Sequence, residues 1–236
     1  MNQKPKYIQI KDCILKDIKN QTLHAGDQIP TETELCDRFQ VSRMTVNKAI
    51  SALTTEGYIR RIAGKGSFVT SSLVQKEFHH QPISFTEDME SIGLKPGARL
   101  LEYRIYRGSD IPPEIARKLQ ADSDDLIHYF SRIRTGNGMI ISISYNYVPC
   151  KTVPAIDIES LEHSFFQYLK KLGFADLHTV NFSLSATLPS AEQKKLLEIE
   201  NEALLKVSHL TCSSENDILE YIDTYYIGSM YTYRLD

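Results

Sequence analysis

The chain has 236 residues, 42% hydrophobic and 24% charged, a composition that buries its own core and excludes a low-complexity or disulfide-framed protein. No apolar run reaches the roughly 20 residues of a membrane-spanning helix, and no apolar stretch follows the N-terminal lysines, so neither a membrane anchor nor a secretory signal is expected. The net charge of −3 is unevenly spread: residues 1–70 hold 11 Lys and Arg against 7 Asp and Glu, residues 71–236 hold 16 against 23, and a basic front on an acidic back suits a small nucleic-acid-binding module joined to a domain with another task.

Along the chain, Ile10, Ile14 and Ile18 with Leu15 form one apolar helical face over Tyr7–Gln21. After Gly26 and Pro30, the run Thr31-Glu32-Thr33-Glu34 has the capping-box pattern and predicts a short helix carrying Leu35 and Phe39. Gln40-Val41 reads as a tight turn. Ser42 caps a third helix with Val46, Ala49, Ile50 and Leu53 on one face, and Gly57 is placed to end it. Tyr58–Ile62 and Ser67–Thr70 read as strands around Ala63-Gly64-Lys65-Gly66, and the polar stretch Ser71–Gln81 as a linker ending at Pro82.

The remainder alternates strands with helices. Strands are expected over Arg99–Arg107, Leu126–Arg134, Met139–Val148, Thr179–Leu188, Leu204–Cys212, Leu219–Ile227 and Met230–Leu235. Helices are expected over Pro112–Leu119, Leu161–Leu172 and Ser190–Ile199. Thr135-Gly136-Asn137-Gly138 is a strong hairpin turn, and hairpin-joined strands pair antiparallel, so the class is α+β.

Helix, tight turn, capped helix and glycine hairpin make up a winged helix-turn-helix. Opposite its apolar stripe the third helix presents Arg43, Met44, Asn47, Lys48 and Ser51. Arg43 can fork onto guanine and Asn47 can pair with adenine, while Ser42 and Thr45 can hold phosphates. Lys65 between glycines can enter the minor groove. A solvated polar face beside an ordinary hairpin would have the same pattern. In the back half Arg132 and Arg134 alternate on one strand and so share a face. Two guanidinium groups there suit a phosphate or carboxylate; a pair of surface salt bridges would use the same two residues.

Three longer runs, Pro30-Thr31-Glu32-Thr33-Glu34-Leu35, Phe39–Val46 and Leu53–Ile59, with Gly64-Lys65-Gly66-Ser67-Phe68-Val69, resemble the GntR family of bacterial repressors. Ser84-Phe85-Thr86-Glu87-Asp88-Met89 and Gly93-Leu94-Lys95-Pro96-Gly97 resemble its HutC subfamily, whose UTRA ligand-binding domain is similar in fold to chorismate lyase. The resemblance implies that Thr31, Glu32, Thr33, Ser42, Arg43, Thr45, Asn47, Lys48 and the wing residues Gly64, Lys65 and Gly66 meet DNA. It implies that Arg132 and Arg134 bind a phosphate, with hydroxyls from the loop Ser84-Phe85-Thr86 and from Ser164, and that Glu220 and Tyr226 face a sugar. The chain departs from the pattern at Thr33 and Asn47, where the family often has arginine. It departs again at Ser144, where a sugar-binding glutamate is usual, and at Phe166, where a tyrosine is. The anion end is retained and the recognition end altered.

The expected organisation is a winged helix-turn-helix over 1–70, a linker over 71–81 and a UTRA effector-binding and dimerisation domain over 82–236. The expected role is a cytoplasmic repressor that binds a palindromic operator as a homodimer and answers to a small anionic metabolite such as a phosphorylated sugar, without cofactor or metal. The rival is an enzyme of chorismate lyase-like fold, against which the sequence shows no nucleophile–base pair and no phosphate-cradling glycine loop. Cys13, Cys36, Cys150 and Cys212 lie far apart, which favours thiols in a reducing compartment, and His79-His80 lacks a third ligand at useful spacing. The tyrosines at 221, 225, 226, 231 and 233 could stack on a sugar, but cross-strand packing accounts for most of them.

Overall fold

The computed structural model describes residues 4–20, 22–24, 27–56, 58–62, 64–70, 74–77, 84–91, 93–174, 176–200 and 202–234. The chain divides into two compact units, Met1–Leu73 and Val74–Asp236.

The first unit is built from α1 (Lys6–Lys19), α2 (Glu32–Phe39), α3 (Arg43–Thr55) and a hairpin of β1 (Ile59–Ile62) and β2 (Gly66–Val69). Ile10, Ile14, Leu35, Val46, Ala49, Ile50 and Leu53 are all buried, as the period-3.6 pattern requires. Both predicted caps form. Thr31 Oγ1 accepts from the Glu34 amide while the Glu34 carboxylate accepts from the Thr31 amide, and Ser42 Oγ accepts from the Thr45 amide. The turn between α2 and α3 uses Gln40 in the left-handed conformation at φ 51. Gly57, expected to end α3, lies outside the described residues; the last helical amide bond is from Glu56 to Ala52. Ala63 also lies outside them. The hairpin is tied to the preceding segment by Ile29 N–H to Ser67 O and Val69 N–H to Asp27 O.

The second unit is a six-stranded antiparallel sheet in the order β4-β5-β6-β9-β8-β7. Its strands are β4 (Pro96–Arg107), β5 (Leu126–Gly136), β6 (Met139–Pro149), β7 (His178–Thr187), β8 (Leu204–Cys212) and β9 (Ile218–Ile227). The β5–β6 turn has Asn137 at φ 50 and Gly138 at φ 81, the two positive angles that a twisted two-residue hairpin needs. One sheet face is covered by α5 (Pro113–Leu119), which buries Ile115 and Leu119 against Ile127 and Leu210, and by α7 (Ala191–Leu197), which buries Leu197 against Ile133 and Ile143. Over the other lie α4 (Phe85–Ser91), a 3-10 turn at Ile158–Glu162 and α6 (Phe165–Lys171). The architecture is the expected α+β one.

Three local expectations are corrected. The stretch read as a linker contains a strand, β3 (Val74–Glu77), which pairs in parallel with β10 (Tyr231–Arg234); the rest of 71–81 that could be linker, at 71–73 and 78–81, lies outside the described residues, as do His79 and His80. Ser84-Phe85-Thr86 is not a loop but the start of α4, because Ser84 and Glu87 form a reciprocal cap. The helix expected from Leu161 begins at Phe165, because Ser164 Oγ accepts from the Gln167 amide and the residues before it form the separate 3-10 turn.

Gly108 shows how tightly the second unit is closed. It is buried, its amide donates to Asp125 O at 2.8 Å, and a Cβ there would run into the Asp122 carbonyl. Gly108→Ala is therefore expected to destabilise this unit by about 1–3 kcal/mol, the usual cost of overpacking. Urea unfolding reads this as a lower midpoint; an unchanged midpoint would mean that the backbone there yields freely.

Candidate functional site

In the first unit the exposed side of α3 presents Arg43 and Met44, with Asn47 half-buried beside them. Met44 is 84% exposed, so an apolar tip stands beside the arginine at the helix start. Thr45 shares a hydroxyl contact with Ser42 at 3.2 Å. Lys48 turns toward α1, its ammonium 4.2 Å from the centre of the Tyr7 ring. Thr31 and Thr33 are exposed and Glu32 half-exposed at the head of α2, but the Thr31 hydroxyl donates to the Glu34 carboxylate and so serves the cap. At the wing tip Gly64 and Gly66 have φ of 72 and 115, Lys65 is exposed, and Gln28 Nε2 donates to the Lys65 carbonyl at 3.1 Å. The positive angle at Gly66 favours glycine, while a Cβ there would have only the flexible end of Gln28 to displace.

The second unit holds the predicted arginine pair on the sheet face beneath α4 and α6. Arg132 stands opposite Ser144, and Arg134 opposite Ser142, which in turn stands opposite Tyr226. Both arginines are buried, at 3% and 6% exposure, which overturns the surface salt-bridge alternative. Among the described residues neither has a carboxylate within ion-pairing distance. Arg132 donates to the carbonyls of Leu161 and His163 at 3.2 and 3.3 Å, directly before Ser164, and lies over the Phe130 ring at 4.9 Å. Arg134 lies over the Phe85 ring at 4.4 Å, which brings the Ser84 end of α4 above it. Among the described residues the Nε of each has no hydrogen-bond partner, and neither has the Ser142 hydroxyl. Ser84 and Ser164 are buried, and each uses its oxygen to cap a helix amide while keeping an O–H to donate.

Glu220 lies further along this face. Its carboxylate accepts from Asn146 Nδ2 at 2.6 Å and from Thr211 Oγ1 at 3.4 Å, and Ser144 Oγ donates to Asn146 Oδ1 at 3.0 Å. Burial pushes the Glu220 carboxyl up, against the opposing pull of these hydrogen bonds and of both arginines. Tyr226 is buried and stacked on Tyr231 with ring centres 3.8 Å apart, and the Tyr231 hydroxyl donates to Asp88 on α4. Phe166 is half-buried against the core beside the site, with the Lys170 ammonium 5.2 Å from its ring centre, and Thr86 is half-buried on α4. Ser84, Phe85, Arg132, Arg134, Ser144, Ser164, Glu220 and Tyr226 thus gather on one face. Sequence reasoning did not single out Ser142, Asn146 or Thr211, and it counted Tyr231 among the tyrosines explained mostly by cross-strand packing. Ser142 and Asn146 follow from Ser144 by strand alternation.

A DNA-reading head with a glycine wing, joined to a sheet domain whose buried face gathers cations and hydroxyls, defines a DNA-binding transcription regulator with a small-molecule-sensing domain. The comparisons agree. Residues 6–69 match the bacterial regulatory proteins of the gntR family, and residues 91–232 match the UTRA domain. The chain is 28% identical to the HTH-type transcriptional repressor NagR of Bacillus subtilis, over 97% of this chain and 93% of that one. It is 25% identical to the mannosyl-D-glycerate transport/metabolism system repressor MngR of Escherichia coli, over 84% and 81%. Its fold is that of PhnF from Mycobacterium smegmatis, with a TM-score of 0.64 at 20% identity, covering 96% and 98% of the two chains. The chain belongs to the GntR family, in the HutC-type architecture with a UTRA effector domain. Its role is regulatory and not catalytic. No helix among the described residues is long and apolar enough to cross a membrane.

Burial sets the energetics of the arginine pair. Arg132 is held well below the usual arginine range by burial and by Arg134. Arg134 is pushed down to about 10 by burial, against the pull of Tyr226 and Glu220. A base with a lowered folded-state pKa destabilises the fold fully at neutral pH, and stability recovers only as pH rises through about 10 toward the usual arginine range. Arg134→Met is accordingly expected to leave the unliganded protein as stable as wild type or more so, measured by urea unfolding at pH 7. A loss of about 3 kcal/mol, typical of breaking a buried ion pair, would show that Arg134 has a partner after all.

Proposed function

We propose that the chain is a cytoplasmic repressor whose second unit binds a phosphorylated sugar, or a sugar of like charge, with the anionic group held between Arg132 and Arg134. One observation carries this reading: two guanidinium groups share a buried face with no carboxylate within ion-pairing distance among the described residues, an arrangement that costs stability until an anion satisfies it. The hydroxyls of Ser84 and Ser164 supply further donors, and Thr86 on α4 a third. Asn146 and Glu220 offer the amide and carboxylate that sugar hydroxyls bind. The name of the relative MngR concerns mannosyl-D-glycerate, a sugar that carries a carboxylate, which fits a charged sugar here.

Residues 1–70 are the DNA-binding head and 82–236 the effector and dimerisation domain in this reading. One small head reads too few base pairs for useful specificity, so two heads act on a palindrome in a homodimer. β3, the first described strand after the head, pairs with β10, which carries Tyr231 against Tyr226; this offers a route by which the bound ligand biases the head.

A thermal-shift screen of phosphorylated sugars identifies the effector, and operator binding is then titrated against it. Each charge-assisted hydrogen bond contributes about 1.5–3 kcal/mol, so Arg132→Ala and Arg134→Ala should each raise the half-response concentration roughly tenfold to a hundredfold. Operator affinity without effector should stay at the wild-type value. Unchanged half-response concentrations in both variants would place the anionic end elsewhere. The full chain should sediment as a dimer at tens of micromolar; a monomer would contradict the two-headed reading.

A further inference from the structure

On α3 the residues Arg43, Asn47 and Ser51 follow one another at intervals of four and form a stripe about one helical turn apart. A cation reaches onto that stripe from the wing. Arg61, exposed on β1, donates from Nη2 to Asn47 Oδ1 at 2.6 Å and lies 3.5 Å from both Ser51 Oγ and the Asn47 carbonyl. No carboxylate among the described residues is paired with it.

The hydrogen-bond inventory of this pair decides what it can read. A guanidinium only donates, so the atom of Asn47 facing it must be the carbonyl oxygen. To read adenine, Asn47 would need that same oxygen to accept from N6 while its amide donates to N7. With one lone pair of Oδ1 given to Arg61, an adenine contact by Asn47 would have to share that oxygen with the guanidinium, while the Asn47 amide and most of the five Arg61 N–H groups stay free to donate. The pair is therefore rich in donors, which match the two acceptors of guanine, O6 and N7, better than the mixed donor and acceptor edge of adenine.

We propose that Arg61, positioned by Asn47, reads a guanine in the major groove, and that Asn47 does not read adenine. The wing strand would then supply beside the recognition helix the cation that residue 47 itself lacks. This rests on the α3 face being the one that meets DNA, so the test includes Arg43→Ala as its control.

An operator is selected from a random library with the full-length protein. Affinity, base preference and salt dependence are then measured for wild type, Arg43→Ala, Arg61→Ala, Arg61→Lys and Asn47→Ala. Loss of a bidentate base contact predicts an affinity fall of roughly 5- to 150-fold for Arg61→Ala on the selected operator. The preference at one position of each half-site should move from guanine toward adenine, because Asn47 regains its oxygen. Arg61→Lys keeps the charge without the fork and should lose the guanine preference while keeping the salt slope. Asn47→Ala should weaken binding and leave guanine preferred, as expected of a positioning residue. An even loss across sequences with a salt slope reduced by about 1 would mean a phosphate contact and would overturn the proposal. So would unchanged affinity and preference in Arg61→Ala while Arg43→Ala is impaired. If Arg43→Ala were silent as well, the α3 face would not be the reading face, and the failure would belong to that assignment.

Discussion

Two guanidinium groups sit side by side in the interior of the second unit, and most of the surrounding structure is arranged to tolerate them. Alternation along β5 forces Arg132 and Arg134 onto one face, where they repel each other and, among the described residues, neither has a carboxylate within ion-pairing distance, although Glu220 attracts both from further along the face. The sheet alone could not hold them. The 3-10 turn at Ile158–Glu162 sits close enough that the Leu161 and His163 carbonyls receive Arg132, and α4 lays Phe85 beneath Arg134. Carbonyl dipoles and an aromatic face moderate a buried cation without neutralising it. The charge stays available, and an anion arriving between the two would gain what the protein leaves unsatisfied.

The first unit handles charge differently. Its apolar residues close a small three-helix core, and its cations stay at the surface on short leads. Lys48 rests over Tyr7, Lys11 pairs with Glu56 at 2.5 Å, and Arg61 is tied to Asn47. Those ties narrow which side chains remain to meet DNA: Arg43 and Lys65 are exposed, while the Thr31 hydroxyl and the Asn47 oxygen are engaged within the head. Residues 33 and 47 carry no cation of their own, and at 47 the wing brings one, Arg61, onto the Asn47 oxygen.

What could be read from the sequence was what is local. The spacing of Val46, Ala49, Ile50 and Leu53, the Thr31–Glu34 cap and the Asn137-Gly138 turn each carry their own physics within a few residues, and all three form. Arg132 and Arg134 were legible as a same-face pair for the same reason. Their burial was not, because it depends on α4 and α6, far away in the chain. β3 was hidden inside a polar stretch because its partner, β10, lies some 150 residues on and nothing in either segment announces the pairing. The Arg61–Asn47 contact joins a wing strand to the recognition helix and is equally silent in the one-dimensional pattern. The start of α6 was misjudged for a different reason: apolar periodicity runs through Leu161, but the cap at Ser164 decides where the helix begins.

If Arg132 and Arg134 together form the receptor for an anion, phosphate should stabilise the fold through them. The most direct measurement is the thermal unfolding midpoint of the full chain as inorganic phosphate replaces chloride at constant ionic strength, for wild type and Arg134→Met in parallel. Phosphate stabilises most folded proteins by exclusion from their surfaces, so the difference between the two proteins is what counts. Specific binding to the folded state adds stabilisation that grows with the logarithm of ligand concentration above the dissociation constant. The account predicts that the midpoint climbs more steeply with phosphate in wild type than in Arg134→Met. Parallel curves for the two proteins would contradict it.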